Sequence, residues 1–349
     1  MEYFFIYSFV IIVVAIIVGR RKFGVKSGPL LRAIPALLYV CFVGFRASSV
    51  GVDSESYRGL FETIPYQDYL WIEVGFDRLI RILYDWGLDY NSLYLASILL
   101  TTIPIYLVLE KSPHYSACAI LLYIVTIPTV VNGIRQCISV GWFFYGALFI
   151  RQRKLIPYSL CMGVCMLFHY SSIVLLPLYF LIFKPAKQSL YITIYALSFI
   201  FIFINPASYV LSALDFLKGF AVDYDRGYQA QTLSTLGFIF NTTTNVVIFL
   251  LIIKTKYYKV NASLTNCSVI AFCIKNISYS YAILGRLNMY FGWMPLLIVP
   301  DLICRLPDRG DRKMYSVFFI IVYVIGFVHQ LLSPEMRMTP YVFNFSLWR

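Results

Sequence analysis

Long apolar runs separated by short polar turns dominate the chain. With approximate boundaries they cover 3–18, 33–47, 92–109, 115–131, 137–150, 155–169, 171–183, 190–205, 236–253, 264–283, 287–304 and 314–332. The runs are longer than the roughly ten-residue strands of a membrane barrel and do not alternate as those strands do. In lipid the backbone must satisfy its own polar groups, which a helix does. The pattern therefore predicts an all-α integral membrane protein of about 12 transmembrane helices. Several runs fall short of the roughly 20 residues of a full crossing. The stretch 155–183 would make a straight helix about 43 Å long, too long for one crossing, and Phe168-His169-Tyr170-Ser171-Ser172 interrupts it. Two short helices meeting at His169 are expected there.

Two larger polar loops stand out, at about 48–91 and 206–233. In the first, Phe76, Leu79, Ile80 and Leu83 recur at helical spacing, with Arg78, Arg81 and Asp85 off that face. This predicts an amphipathic helix over 75–86 lying on the outer membrane surface. No Gly/Ser linker, internal repeat or low-complexity tract divides the sequence, so a single polytopic membrane domain over 1–349 is expected.

Composition sharpens this picture. Hydrophobic residues make up 60% of the chain and charged residues 13%, about half the charge that a soluble domain carries. The net charge of +12 comes from short basic clusters between apolar runs, at 20–26, 151–154, 184–187, 254–259 and 305–313. That distribution is an orientation signal, not a phosphate-binding face for nucleic acid. The positive-inside rule places these clusters in the cytoplasm. The first run then reads as an uncleaved anchor, with both termini and the 48–91 loop extracytoplasmic. The eight cysteines sit in apolar runs without a Cys-x-x-Cys pair, and no P-loop, His-Glu-x-x-His or other metal-ligand spacing occurs. Neither a metal nor another cofactor is expected.

A few polar residues invite a chemical reading, because ionisable groups near membrane depth are expensive and tend to be functional. Arg46, Arg135 and Arg286 lie near helix ends on the outer side, against the positive-inside trend. An arginine's planar fork suits phosphate oxygens; the competing explanation is snorkelling to the headgroups. His169, at the outer apex of two short helices, has the chemistry of a general base toward a hydroxyl, or it caps the junction. Asp53 and Glu73 are the acidic candidates, to bind sugar hydroxyls, pair with an arginine or accept a proton, with simple N-capping as the alternative for Asp53.

Five segments, in order, carry a family resemblance. Arg46 followed by Val50-Gly51-Val52-Asp53-Ser54-Glu55-Ser56-Tyr57 is similar to the pattern R-x-x-x-x-G-x-D-x-x-x-Y. Glu73-Val74-Gly75-Phe76-Asp77-Arg78-Leu79 is similar to E-x-G-F-x-x-L. Gly133-Ile134-Arg135-Gln136 matches an L/I-R-Q turn, Phe168-His169-Tyr170-Ser171 an F-H-x-S segment, and Arg286-Leu287-Asn288-Met289-Tyr290-Phe291 a late R-x-x-x-Y-F. Together they resemble the EpsG-like branch of the Wzy-type polysaccharide polymerases, which includes O-antigen polymerases.

The resemblance implies a metal-independent membrane glycosyltransferase at the periplasmic face of the bacterial inner membrane. Its substrates would be oligosaccharide repeat units carried on undecaprenyl diphosphate, and its partners the flippase and chain-length regulator of the same pathway. It implies His169, Asp53 and Glu73 as catalytic, Arg46, Arg135 and Arg286 as diphosphate-binding, and Tyr57 and Tyr290 as acceptor-binding. A lipid-linked-oligosaccharide flippase or other transporter, and an O-antigen ligase, are the alternatives.

Overall fold

The computed structural model describes residues 29–68, 72–203, 235–278 and 283–348. The expected span 3–18, its basic cluster and the loop 206–233 lie outside the described residues. Thirteen helices are named here in chain order: α1 (Pro29–Gly44), α2 (Ser54–Thr63), α3 (Val74–Asp85), α4 (Tyr90–Leu109), α5 (Tyr115–Asn132), α6 (Ile134–Arg151), α7 (Leu155–Phe168), α8 (Gln188–Ser198), α9 (Thr235–Lys254), α10 (Ala262–Ser278), α11 (Ile283–Gly292), α12 (Met294–Cys304) and α13 (Arg309–Leu332). Between α7 and α8 lie a 3₁₀ segment, Tyr170–Leu175, and a single turn, Leu178–Leu181. The chain clusters into two compact units, one of Met1–Tyr179 with Pro307–Arg349 and one of Phe180–Leu306.

The helices follow the apolar runs closely. α4, α13 and residues Gly237–Lys254 of α9 are each long and apolar enough to cross a membrane, and α11 with α12, bent by 42°, would make a fourth span. Shorter apolar helices account for other runs, among them most of α1 and α5, and all of α7. The protein is thus a helical membrane protein, while the figure of twelve crossings rests on the sequence. Local chemistry sets some boundaries: Asp89 accepts from Tyr90 N to open α4 and Asp308 accepts from Asp311 N to open α13, each a side chain satisfying a donor that a helix start leaves unpaired.

In the first unit α6 is the central packing element. A Cβ at its Gly141 would lie 2.5 Å from the Thr101 carbonyl oxygen of α4, so a side chain there would force the two backbones apart. Toward α7, Ser139 Oγ donates to the Cys165 carbonyl at 2.7 Å and Cys165 Sγ donates to the Ser139 carbonyl at 3.2 Å. As expected, α7 stops at Phe168, His169 adopts an extended conformation (φ −160°, ψ 105°), and the chain resumes as 3₁₀.

The amphipathic helix is present as α3, but its surroundings correct the sequence reading. Phe76, Ile80 and Leu83 are buried with Tyr57, Phe61, Ile64, Ile72, Leu93, Tyr94 and Ile134 in one apolar cluster. The helix therefore turns its apolar face onto α2, α4 and the start of α6 and not onto lipid. Packing against protein satisfies the same periodicity that a membrane surface would.

The segment after α13 was not anticipated. Residues 337–348, outside any helix, run beside both ends of the 48–91 loop. Ala47 N donates to Val342 O, Asn344 N to Phe45 O, Gly51 N to Arg337 O, and Asp89 N to Leu347 O. Asn91 Nδ2 donates to the carbonyls of Asn344 and Ser346, and Tyr341 Oη to that of Phe42. Arg46 and Leu88 form antiparallel bridges with Phe343 and Trp348. This segment and the 48–91 loop consequently share one side of the unit.

Candidate active site

Three segments that the sequence placed on the outer side converge in the first unit: the start of α3, the start of α6, and the break after α7. Glu73 precedes α3 in an extended conformation, so its side chain leaves the helix axis and enters the gap between α6 and α7. There its carboxylate receives Arg135 Nη1 on Oε2 at 2.6 Å and meets His169 Nδ1 on Oε1 at 3.0 Å. The side chains are 6% (Glu73), 13% (His169) and 21% (Arg135) exposed, so the carboxylate is the most enclosed of the three.

Gly75 explains how these groups meet. A Cβ at Gly75 would lie 2.6 Å from the Leu167 carbonyl oxygen and 2.9 Å from Leu167 Cβ. Only a glycine lets the first turn of α3 rest on the last turn of α7, two residues from His169. Glycine inside a helix ordinarily costs about 1 kcal/mol relative to alanine. Its presence early in an amphipathic helix is the signal of close approach that the sequence carries.

The electrostatics follow from the contacts. Burial works to raise the Glu73 pKa, but the hydrogen bond with His169 and the charge of Arg135 outweigh it and hold the carboxyl below its ordinary value. An ionised carboxylate only accepts hydrogen bonds, so the proton at the contact belongs to His169 Nδ1. That tautomer puts the imidazole lone pair on Nε2. Arg135 also hydrogen-bonds the Tyr57 hydroxyl and lies 5.8 Å from the Phe76 ring centre. Tyr57 is buried in the apolar cluster, edge-on to Phe76. Burial raises its phenol despite the nearby Arg135, and with Asp53 adding to the rise its pKa is pushed up to about 12.

The other expected residues fall as follows. Asp53 occupies the N-cap position of α2 without a side-chain cap bond, half-buried and close enough to Tyr57 to influence it. Arg46 is completely buried. Its Nη1 donates to Val43 O at 2.8 Å, Nη2 to Val131 O at 3.0 Å and Nε to Ser54 Oγ at 3.3 Å, with the guanidinium 4.1 Å from the Tyr94 ring centre. A buried guanidinium held by two backbone carbonyls, a serine hydroxyl and an aromatic face has the contacts of a structural tie, which weighs against the diphosphate role expected for it. Gly51 belongs to the same tie: its φ is +93°, and a Cβ there would lie 2.5 Å from Val131 Cγ1, while Asn132 Oδ1 accepts from the neighbouring Val52 N at 2.6 Å. Arg286, half-buried, and Tyr290, fully buried, lie on α11 of the second unit. Among the described residues no group of three or more His, Cys, Asp or Glu side chains could hold a metal ion.

No curated protein and no solved structure matches the chain. The sequence model of the EpsG family matches residues 30–343, a range that contains Glu73, Arg135, His169 and Arg286. The chain therefore belongs to the EpsG family, whose members are membrane enzymes of the polysaccharide-polymerase type.

Proposed function

We propose that this protein polymerises oligosaccharide repeat units carried on undecaprenyl diphosphate, at the periplasmic face of a bacterial inner membrane, making O-antigen or a related surface polysaccharide. The observation that carries the reading is the array Arg135–Glu73–His169. Glu73 fixes the tautomer and orientation of His169, so that Nε2 takes the proton from the acceptor sugar hydroxyl as that oxygen attacks the anomeric carbon of the donor chain. The anomeric C–O bond to the lipid diphosphate breaks, and the leaving group departs with the electron pair. Arg135 offers its charge and the N–H donors not engaged by Glu73 and Tyr57 to that diphosphate. Asp53, beside Tyr57, holds the acceptor sugar.

Membrane localisation with extracytoplasmic termini belongs to the same reading, as do a flippase and a chain-length regulator as partners. Its test is chain extension by purified protein supplied with lipid-linked repeat units. A positioned base is worth about 10²–10⁴-fold in rate, so His169→Gln and His169→Asn are expected to stop extension at normal protein abundance, although each keeps a hydrogen-bonding side chain. Extension at the wild-type rate by either variant would refute the base. Transport of lipid-linked units without extension by the wild-type protein would favour a flippase.

A further inference from the structure

Lys275 has no role in the reading above. It lies on α10, within a run that the sequence assigns to a membrane crossing, and it is half-buried. Helix geometry sets the direction of its side chain: positions three, four and seven residues away share its face. Ser268, Ala271, Phe272 and Ser278 occupy those positions and all are buried, whereas Ile274 and Ile277, off that face, are more accessible. The lysine thus points into the second unit and not toward lipid.

Among the described residues nothing hydrogen-bonds, ion-pairs or stacks with its ammonium group. Asp301, the sole acidic residue among the described residues of that unit, accepts from Arg305 at 3.2 Å. Next to the lysine, Asn276 donates to Ser198 Oγ at 2.8 Å, yet its own Oδ1 is buried without a donor. Among the described residues Lys275 is therefore a cation without an anion, on a buried face with Ser268, Ala271, Phe272 and Ser278, and the next residue carries an amide carbonyl without a partner. A charge held in a membrane segment is costly, and such groups mark substrate paths. A compact ammonium suits a phosphate oxygen, and in a run that the sequence reads as a membrane crossing the phosphates at hand are those of lipids.

We propose that Lys275 binds the phosphate of a membrane lipid phosphate inside the second unit. Two sources share that chemistry, a bilayer phospholipid and the polyprenyl diphosphate of the substrate; the second rests on the polymerase reading. The full-length protein in a phosphate-free maltoside detergent is titrated with undecaprenyl diphosphate and, separately, with phosphatidylglycerol, and thermal stabilisation is followed. A charge-assisted contact of this kind is worth about tenfold or more in affinity. Lys275→Met is expected to lose that factor, Lys275→Arg to stay within a few-fold of wild type, and ligand-free Lys275→Met to be no less stable than wild type.

Preferential loss of undecaprenyl diphosphate binding assigns the lysine to the substrate. Equal loss of both lipids assigns it to a bilayer phospholipid, leaving the extension assay to judge the polymerase reading alone. Unchanged affinity in Lys275→Met, or no binding by wild type, overturns the proposal. So does rescue of Lys275→Met by neutralising Asp215, Asp223 or Asp225, which would place the lysine in an ion pair within the chain.

Discussion

Replacing Gly75 by alanine adds one methyl group at the point where α3 rests on α7. That carbon would sit 2.6 Å from the Leu167 carbonyl oxygen, where ordinary contact begins at 3.4 Å, so the two backbones must part by about 0.8 Å. The obstruction is backbone, which cannot swing aside as a flexible side chain would. Glu73 moves with α3 and His169 with the end of α7, so their 3.0 Å contact opens toward 3.8 Å, beyond hydrogen-bonding distance. The overpacking costs about 1–3 kcal/mol of stability. A misplacement near 1 Å at a catalytic group costs about 10²-fold in rate, so activity is the more sensitive readout. In the extension assay, at matched membrane abundance, Gly75→Ala is expected to yield short products. Gly163→Ala is the control, because a Cβ there meets nothing within 4 Å although it lies on α7 itself. Full-length polymer from Gly75→Ala at normal abundance would refute the claim that this contact sets the Glu73–His169 geometry.

Arg46 and Arg135 are expected to fail differently. Arg135→Lys loses extension while membrane abundance holds, whereas Arg46→Met lowers abundance and melting temperature, since the Val43 and Val131 carbonyls each lose a donor, at about 1–3 kcal/mol apiece; normal abundance of Arg46→Met would contradict the structural assignment. Because the folded-state pKa of Glu73 lies below the ordinary 4.5, its ionised form adds stability that is fully present above 4.5 and is lost as pH falls through the lowered value. Melting temperatures of wild type and Glu73→Gln, compared in steps from pH 7 downward, should therefore converge only below pH 4.5. Asn91→Leu removes both bonds to the Asn344 and Ser346 carbonyls and should lower the melting temperature by several degrees, measured in detergent.

The helices of this protein are legible because burial in lipid writes itself as uninterrupted apolar sequence. The candidate site was legible only singly. Glu73, Arg135 and His169 each stood out as polar residues at helix ends, but their pairings span 62 and 96 residues, and no local pattern records such a contact. Arg46 shows the limit from the other side. A guanidinium at a helix end looks the same in sequence whether it meets phosphate or, as here, backbone carbonyls. Periodicity likewise identified the apolar face of α3 but not what covers it. Residues 337–348 are not legible in the sequence, because a non-helical segment held by backbone hydrogen bonds carries neither helical spacing nor an apolar run.

That last segment sets an order of events during synthesis. The bonds that fasten it to Phe42 and Asn91 join residues 253 to 299 positions apart, so the ribosome completes every helix of both units before either can form. Contacts of such high sequence separation form late and slowly. The turn holding Arg46 and Gly51, with the loop that carries Glu73, waits in an unfastened state until translation is nearly finished. Nascent chains released early would reach the membrane with their helices but without the clasp, and a quality-control protease would meet them with that loop still open.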